Sequence, residues 1–214
     1  MAAEVVRPNV IVSVREQRLM LLQDGYRVAT FPVSTSKFGI GNRWNSMATP
    51  TGFLQVAQKI GDHAPVGAVF HNRRFTGEIL TPNAPGRDPV ITRIIWLRGL
   101  EAGNANAFNR CIYIHGTPEE KTIGRPASFG CVRMKSADVA QLYASLPLGA
   151  VISITPDALP RISKAPRGLK PAVPAPSLAP PSASPTQVIT TAQAPKSSPA
   201  KKGDATAWLR NARA

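Results

Sequence analysis

The chain has 214 residues and a formal charge of +14, with 43% hydrophobic and 6% aromatic residues, 16 glycines and 21 prolines. That length fits one domain with an appendage, and the composition favours a turn-rich β protein over a helical bundle. Two cysteines exclude a disulfide framework, no CxxC spacing offers a zinc site, and no apolar run approaches the roughly 20 residues of a membrane span. No basic run is interleaved with aromatics, so no nucleic-acid partner is expected; the charge suits an anionic envelope.

The opening, MAAEVVRPNVIVSV, lacks a basic region followed by an apolar stretch and a cleavage site. Taken alone it predicts a cytoplasmic chain. In NVIVSV, Val10, Val12 and Val14 share one face of a strand. RLMLLQDGYRVATFPV then reads as a hairpin, with Asp24-Gly25 as its turn. Residues Ser34–Gly52 are long, polar and glycine-rich, which predicts a functional loop. Further strands are expected at Phe53–Ile60, Val90–Leu97, Cys111–His115 and Ala150–Thr155.

One helix is expected after Ser136, which is read as its cap. Val139, Leu142, Tyr143 and Leu146 would form the buried stripe, and Pro147 and Gly149 would close it. Many strands with a single helix predict a mainly-β sandwich or partly open barrel over residues 9–156. Residues 157–214 hold ten of the prolines and have nine Lys/Arg against two Asp/Glu. They read as a disordered basic tail, with a brief helical turn near Trp208.

The chemistry-bearing stretch is YIHGTPEEKTIGRPASFGCVRM, Tyr113 to Met134. Strand alternation puts Cys111, Tyr113 and His115 on one face and Ile112 and Ile114 on the other. His115 thus ends a strand. Sixteen positions later comes Cys131, preceded by Gly130, whose missing side chain permits close backbone approach to a substrate and leaves amides for an oxyanion. Arg133 would point the same way as Cys131, where a guanidinium favours the thiolate and grips a carboxylate. A Cys131 nucleophile, a His115 base and an Arg133 anchor would together perform acyl transfer. The competing reading is a buried structural thiol near an unrelated histidine. His63 and His71 read as surface or packing residues, and Cys111 as a core thiol.

The combined pattern, His-Gly, a spacer, then Ser-x-Gly-Cys-Val-Arg, resembles the signature of the L,D-transpeptidase (YkuD-type) catalytic domain. The resemblance extends upstream through the hairpin, the glycine-rich loop and the TPTG turn into the next strand, covering residues 9–155. It implies that Cys131 is the nucleophile and His115 the general base, with the Gly116 backbone orienting the imidazole. It also implies that Ser128, Phe129, Gly130 and Arg133 line the substrate side. The substrate class would be peptidoglycan stem peptides, cut after meso-diaminopimelate with release of D-alanine, and the acyl group would pass to an amine. Water as acceptor would make a carboxypeptidase. No metal or cofactor is implied, carbapenems are expected to acylate Cys131, and an envelope location follows, against the cytoplasmic reading of the opening. The departure is Phe129, where family members most often carry histidine. Because the base is assigned to His115, the expectation is an active enzyme with a changed site wall. The alternatives are a weakened enzyme or a non-catalytic wall-binding module.

Overall fold

The computed structural model describes residues 7–166. Ten strands form one continuous mixed sheet. In chain order they are β1 (Val10–Ser13), β2 (Arg18–Gln23), β3 (Tyr26–Pro32), β4 (Gly52–Ile60), β5 (Ala68–His71), β6 (Arg74–Ile79), β7 (Val90–Gly99), β8 (Tyr113–Gly116), β9 (Val132–Met134) and β10 (Val151–Thr155). Among the described residues there is one α-helix, α1 (Ser136–Ser145), accompanied by two short 3-10 turns, Ala102–Asn104 and Glu120–Thr122. This is the mainly-β, partly open architecture that the sequence predicts.

The β2–β3 hairpin turns at Asp24 and Gly25, both at positive φ (52° and 81°), as a type I′ turn requires. Strand β1 lies between β2, antiparallel, and β10, parallel. The long strand β7 is the spine of the site. One edge of β7 pairs first with β5 and then with β4, while the other carries β8. A register shift between Ile91 and Ile94 lets β7 serve these neighbours. Strand β9 then adds parallel to β8.

The main core joins Val12, Leu54, Ile95, Ile114 and Met134 to the helix stripe. Val139, Leu142, Tyr143 and Leu146 are all buried, as the 3.6-residue spacing demands. Each fully buried Leu or Ile contributes roughly 1.5–3 kcal/mol of transfer free energy. Burial of this stripe is what fixes α1 beneath β7 and β8.

Two expectations need correction. Ser136 is the first helical residue rather than the cap, because Lys135 occupies that position without a side-chain bond. The carboxylate of Glu120 supplies the acceptor instead, 2.9 Å from the Ser136 amide, where the helix dipole favours an anion. The Ser136 hydroxyl meets Thr92 at 2.8 Å. The ordered chain also continues past the boundary expected at residue 156. Leu159 and Ile162 pack against Ile11, Met20 and Leu22 on the outer face of the sheet, and Arg27 exchanges backbone bonds with Ser163 and Ala165. Spaced apolar residues in a proline-rich setting hid this short strap. The rest of the expected tail, including Trp208, lies outside the described residues.

Candidate active site

The site grows from the β8–β9 pair. Ile114 is registered opposite Val132, and His115 opposite Arg133. Ile112, Ile114, Val132 and Met134 turn into the main core. Tyr113 and both cysteines join a second apolar cluster with Phe70 and Ile94 on the other face. Alternation therefore delivers His115, Cys131 and Arg133 to one side of two adjacent parallel strands, as the spacing predicts.

His115 is buried, and its Nδ1 lies 2.7 Å from the Gly116 carbonyl oxygen. A carbonyl only accepts, so Nδ1 carries the hydrogen and Nε2 keeps its lone pair. Burial lowers the imidazole pKa, against the bond to Gly116 and the charge of Asp88. The ring rests neutral and ready to accept a proton. Gly116 has a steric role as well: a Cβ there would stand 2.7 Å from the Ile91 carbonyl oxygen. Only glycine lets β7 and β8 approach so closely beside His115.

The Cys131 thiol is half-buried. It accepts from the Tyr113 amide and donates to the Cys111 carbonyl, both at 3.3 Å. Burial pushes its pKa up to about 11, opposed by the Tyr113 amide and the charges of Arg110 and Arg133. The expected stabilisation of a thiolate by Arg133 is therefore present but outweighed by desolvation. Thiol and imidazole each rest neutral, which suits a general-base mechanism rather than a preformed ion pair.

The turn that aims Cys131 is held by Ser128. Its hydroxyl donates to the Cys131 carbonyl at 2.6 Å and accepts from the Gly130 amide at 3.2 Å. Gly130 adopts φ +125°, a conformation that L side chains rarely reach. Its carbonyl accepts from Thr49 at 3.0 Å, which ties the expected loop to the nucleophile. That loop also runs beside the motif through paired backbone bonds between Ser34 and Arg133, each 2.9 Å.

The four residues expected on the substrate side occupy different settings. Ser128 is buried and Gly130 spends its amide within the turn. The Arg133 side chain is 3% exposed and pairs with Asp88 and Glu119. Its second terminal nitrogen reaches Ser34 at 3.2 Å and Thr122 at 2.9 Å. This guanidinium is a buried brace between β9 and the Asp88 loop, not an open carboxylate grip. Phe129 is 62% exposed. Its ring packs on Phe38 at 5.8 Å, and the Lys37 ammonium lies over it at 4.3 Å. It forms surface beside the site rather than a wall against the thiol.

Sequence reasoning passed over several contributors. Arg110 donates to the carbonyls of Gly41 (3.0 Å) and Ala48 (2.7 Å), pinning the 34–52 loop while placing its charge near Cys131. Asp88 accepts from both Arg133 and Thr117, and its charge acts on His115. Tyr113 supplies the amide that holds the thiol. For Tyr113 the signal was its place in the strand carrying His115; Arg110, in the turn before that strand, and Asp88, distant in sequence, gave none. His63 and His71 lie exposed, away from these contacts. Cys111 is half-buried at φ 55°, at the rim of the second cluster rather than within a core strand.

The family model for the L,D-transpeptidase catalytic domain, YkuD, matches residues 7–154. A Bacillus subtilis (strain 168) protein named "Putative L,D-transpeptidase YqjB" is 27% identical over 150 residues, covering 70% of this chain and 72% of the relative. Among solved structures, an L,D-transpeptidase from Xylanimonas cellulosilytica is 20% identical with TM-score 0.42, covering 68% of this chain and 59% of that one. The L,D-transpeptidase LdtMt1 in complex with imipenem is 18% identical with TM-score 0.44, covering 68% and 57%. The chain thus spans under two thirds of these solved chains. Because the family match runs through most of its length, the chain belongs to the L,D-transpeptidase catalytic domain family.

Proposed function

We propose that this protein is a peptidoglycan L,D-transpeptidase with Cys131 as nucleophile and His115 as general base. The observation that supports the reading is the tautomer of His115, which leaves Nε2 free on a strand paired with the one that opens directly after Cys131.

The donor is a tetrapeptide stem ending in meso-diaminopimelate–D-alanine. When it enters, Nε2 takes the Sγ proton and sulfur attacks the diaminopimelate carbonyl carbon. The C–N bond breaks, the imidazolium returns the proton to the leaving amine, and D-alanine departs. A Cys131 thioester remains. An acceptor amine then attacks that carbonyl and gives its proton to Nε2. The C–S bond breaks, and the proton passes to the sulfur to restore the thiol. Burial supports both halves, because it keeps the imidazole unprotonated and confines thiolate character to the moment of attack. The reading places the enzyme in the cell envelope, where its donor lies and where the +14 charge meets anionic polymers.

Mass spectrometry of tetrapeptide incubated with an acceptor amine tests the reading. It expects D-alanine release and a new cross-linked product, both lost in C131A. Release without cross-linking would assign water as the acceptor, and an unchanged tetrapeptide would overturn the reading.

A further inference from the structure

Arg73 stands in a turn that ordinarily avoids arginine. Strands β5 and β6 pair His71 with Arg74, leaving Asn72-Arg73 as a two-residue turn with φ of 46° and 65°. Such turns favour Asn-Gly, since residues with a Cβ are strained at positive φ. Asparagine tolerates the first position; arginine at the second has no local advantage.

Its side chain explains the choice. The guanidinium lies 4.7 Å over the Trp96 ring and donates to the Tyr113 hydroxyl at 3.3 Å, with the Cys111 sulfur at 3.8 Å. The same Tyr113 gives its amide to Cys131 Sγ, and the Cys111 carbonyl accepts from that thiol. Arg73 is therefore held one tyrosine side chain away from the reacting sulfur.

Two guanidiniums act on Cys131 directly, and both are already engaged. Arg133 is buried against Asp88 and Glu119, and Arg110 is committed to the loop carbonyls. Arg73 is exposed and, among the described residues, pairs with no carboxylate. A planar cation fixed on an aromatic face, with free donors and no anionic partner, is matched to a carboxylate.

Resting on the transpeptidase reading, we propose that Arg73 is the specificity residue that binds a carboxylate of the acyl donor next to the bond Cys131 attacks. Two donor carboxylates lie near that bond, one at the end of the diaminopimelate side chain and one on the terminal D-alanine.

The test compares the free-acid tetrapeptide with two forms, amidated on the diaminopimelate side chain or on the terminal D-alanine. Calorimetric affinities are measured for the protein with C131A alone and with added R73G or R73K. Glycine suits the turn, so the hairpin is retained while the guanidinium is lost. With Arg73 present, the free acid should bind roughly tenfold to a hundredfold tighter than one amide form, which identifies the carboxylate. R73G should reduce that preference to about twofold or less, and R73K should keep part of it, since a point charge replaces the fork. No preference with Arg73 present, or one that survives R73G, overturns the proposal. Acid-selective binding without turnover by the Cys131 enzyme would sink the catalytic reading and leave Arg73 its role. Turnover without selectivity would do the reverse.

Discussion

His115 Nδ1 sits 2.7 Å from the carbonyl oxygen of its own neighbour, Gly116, and this backbone contact orients the imidazole. Glycine at 116 is required by the approach of the Ile91 carbonyl. One residue therefore satisfies the packing of β7 on β8 and also sets the imidazole tautomer. Replacing His115 with glutamine removes the proton acceptor. Steady-state kinetics with the tetrapeptide should show kcat/KM falling by roughly a hundredfold to ten-thousandfold, the usual contribution of a general base.

The directions of the two pKa shifts define a pH profile. Burial lowers His115 below its ordinary value of about 6.5, so loss of activity on the acid side should begin below that value. Burial raises Cys131 to about 11, so the neutral thiol–imidazole pair persists through neutral and mildly alkaline pH. Ultraviolet titration of the free enzyme should show thiolate absorbance from Cys131 only as pH approaches 11. A thiolate plateau already present near neutrality would indicate an ion pair and contradict this assignment. H115Q should remove the acid limb of the rate profile.

Arg133 is predicted to act on stability before chemistry. With its side chain 3% exposed and paired with Asp88, R133M leaves a carboxylate without its partner. Because Asp88 is partly exposed, losing its partner costs roughly 1–3 kcal/mol. Urea unfolding of R133M should show a loss of that size. The R133M/D88N double variant should lose less than the sum of the two single changes, as coupled partners do.

Phe129 should matter little to the thiol. Its ring is 62% exposed and rests on Phe38 and Lys37. The polar and charged groups that act on Cys131, namely Tyr113, Cys111, Arg110 and Arg133, do not include it, and a ring this exposed adds little to the burial that dominates the shift. F129H and F129A should each change folding stability by about 1 kcal/mol or less. Both should leave the Cys131 thiol titration where it stands in the parent protein. A clear displacement of that titration in F129H would show that position 129 controls the nucleophile.

Legibility from the sequence followed the range of the interactions. The Asp24-Gly25 hairpin, the helix stripe and the two-faced strand at Tyr113–His115 rest on neighbours within a few residues, and periodicity exposes them. Cys131 and His115 were visible because alternation set their side and the flanking glycines marked tight backbone. The setting of Arg133 was not visible, because its partner Asp88 is 45 residues away. Alternation can aim a guanidinium but cannot say whether a carboxylate already occupies it. The β5–β6 hairpin also escaped, since an Asn-Arg turn breaks the glycine rule that announces such turns. Leu159 and Ile162 were masked by the prolines around them, although their apolar contacts and the backbone bonds of Arg27 lay that strap on the sheet.

Intact-protein mass spectrometry during turnover of the tetrapeptide tests the central claim most directly. The account predicts a transient adduct equal to the donor minus D-alanine, mapped to Cys131 by digestion, absent in C131A and formed slowly in H115Q. A carbapenem should give a longer-lived adduct on the same residue. Release of D-alanine without any Cys131 adduct, or an adduct that forms as fast in H115Q as in the parent protein, would contradict the account.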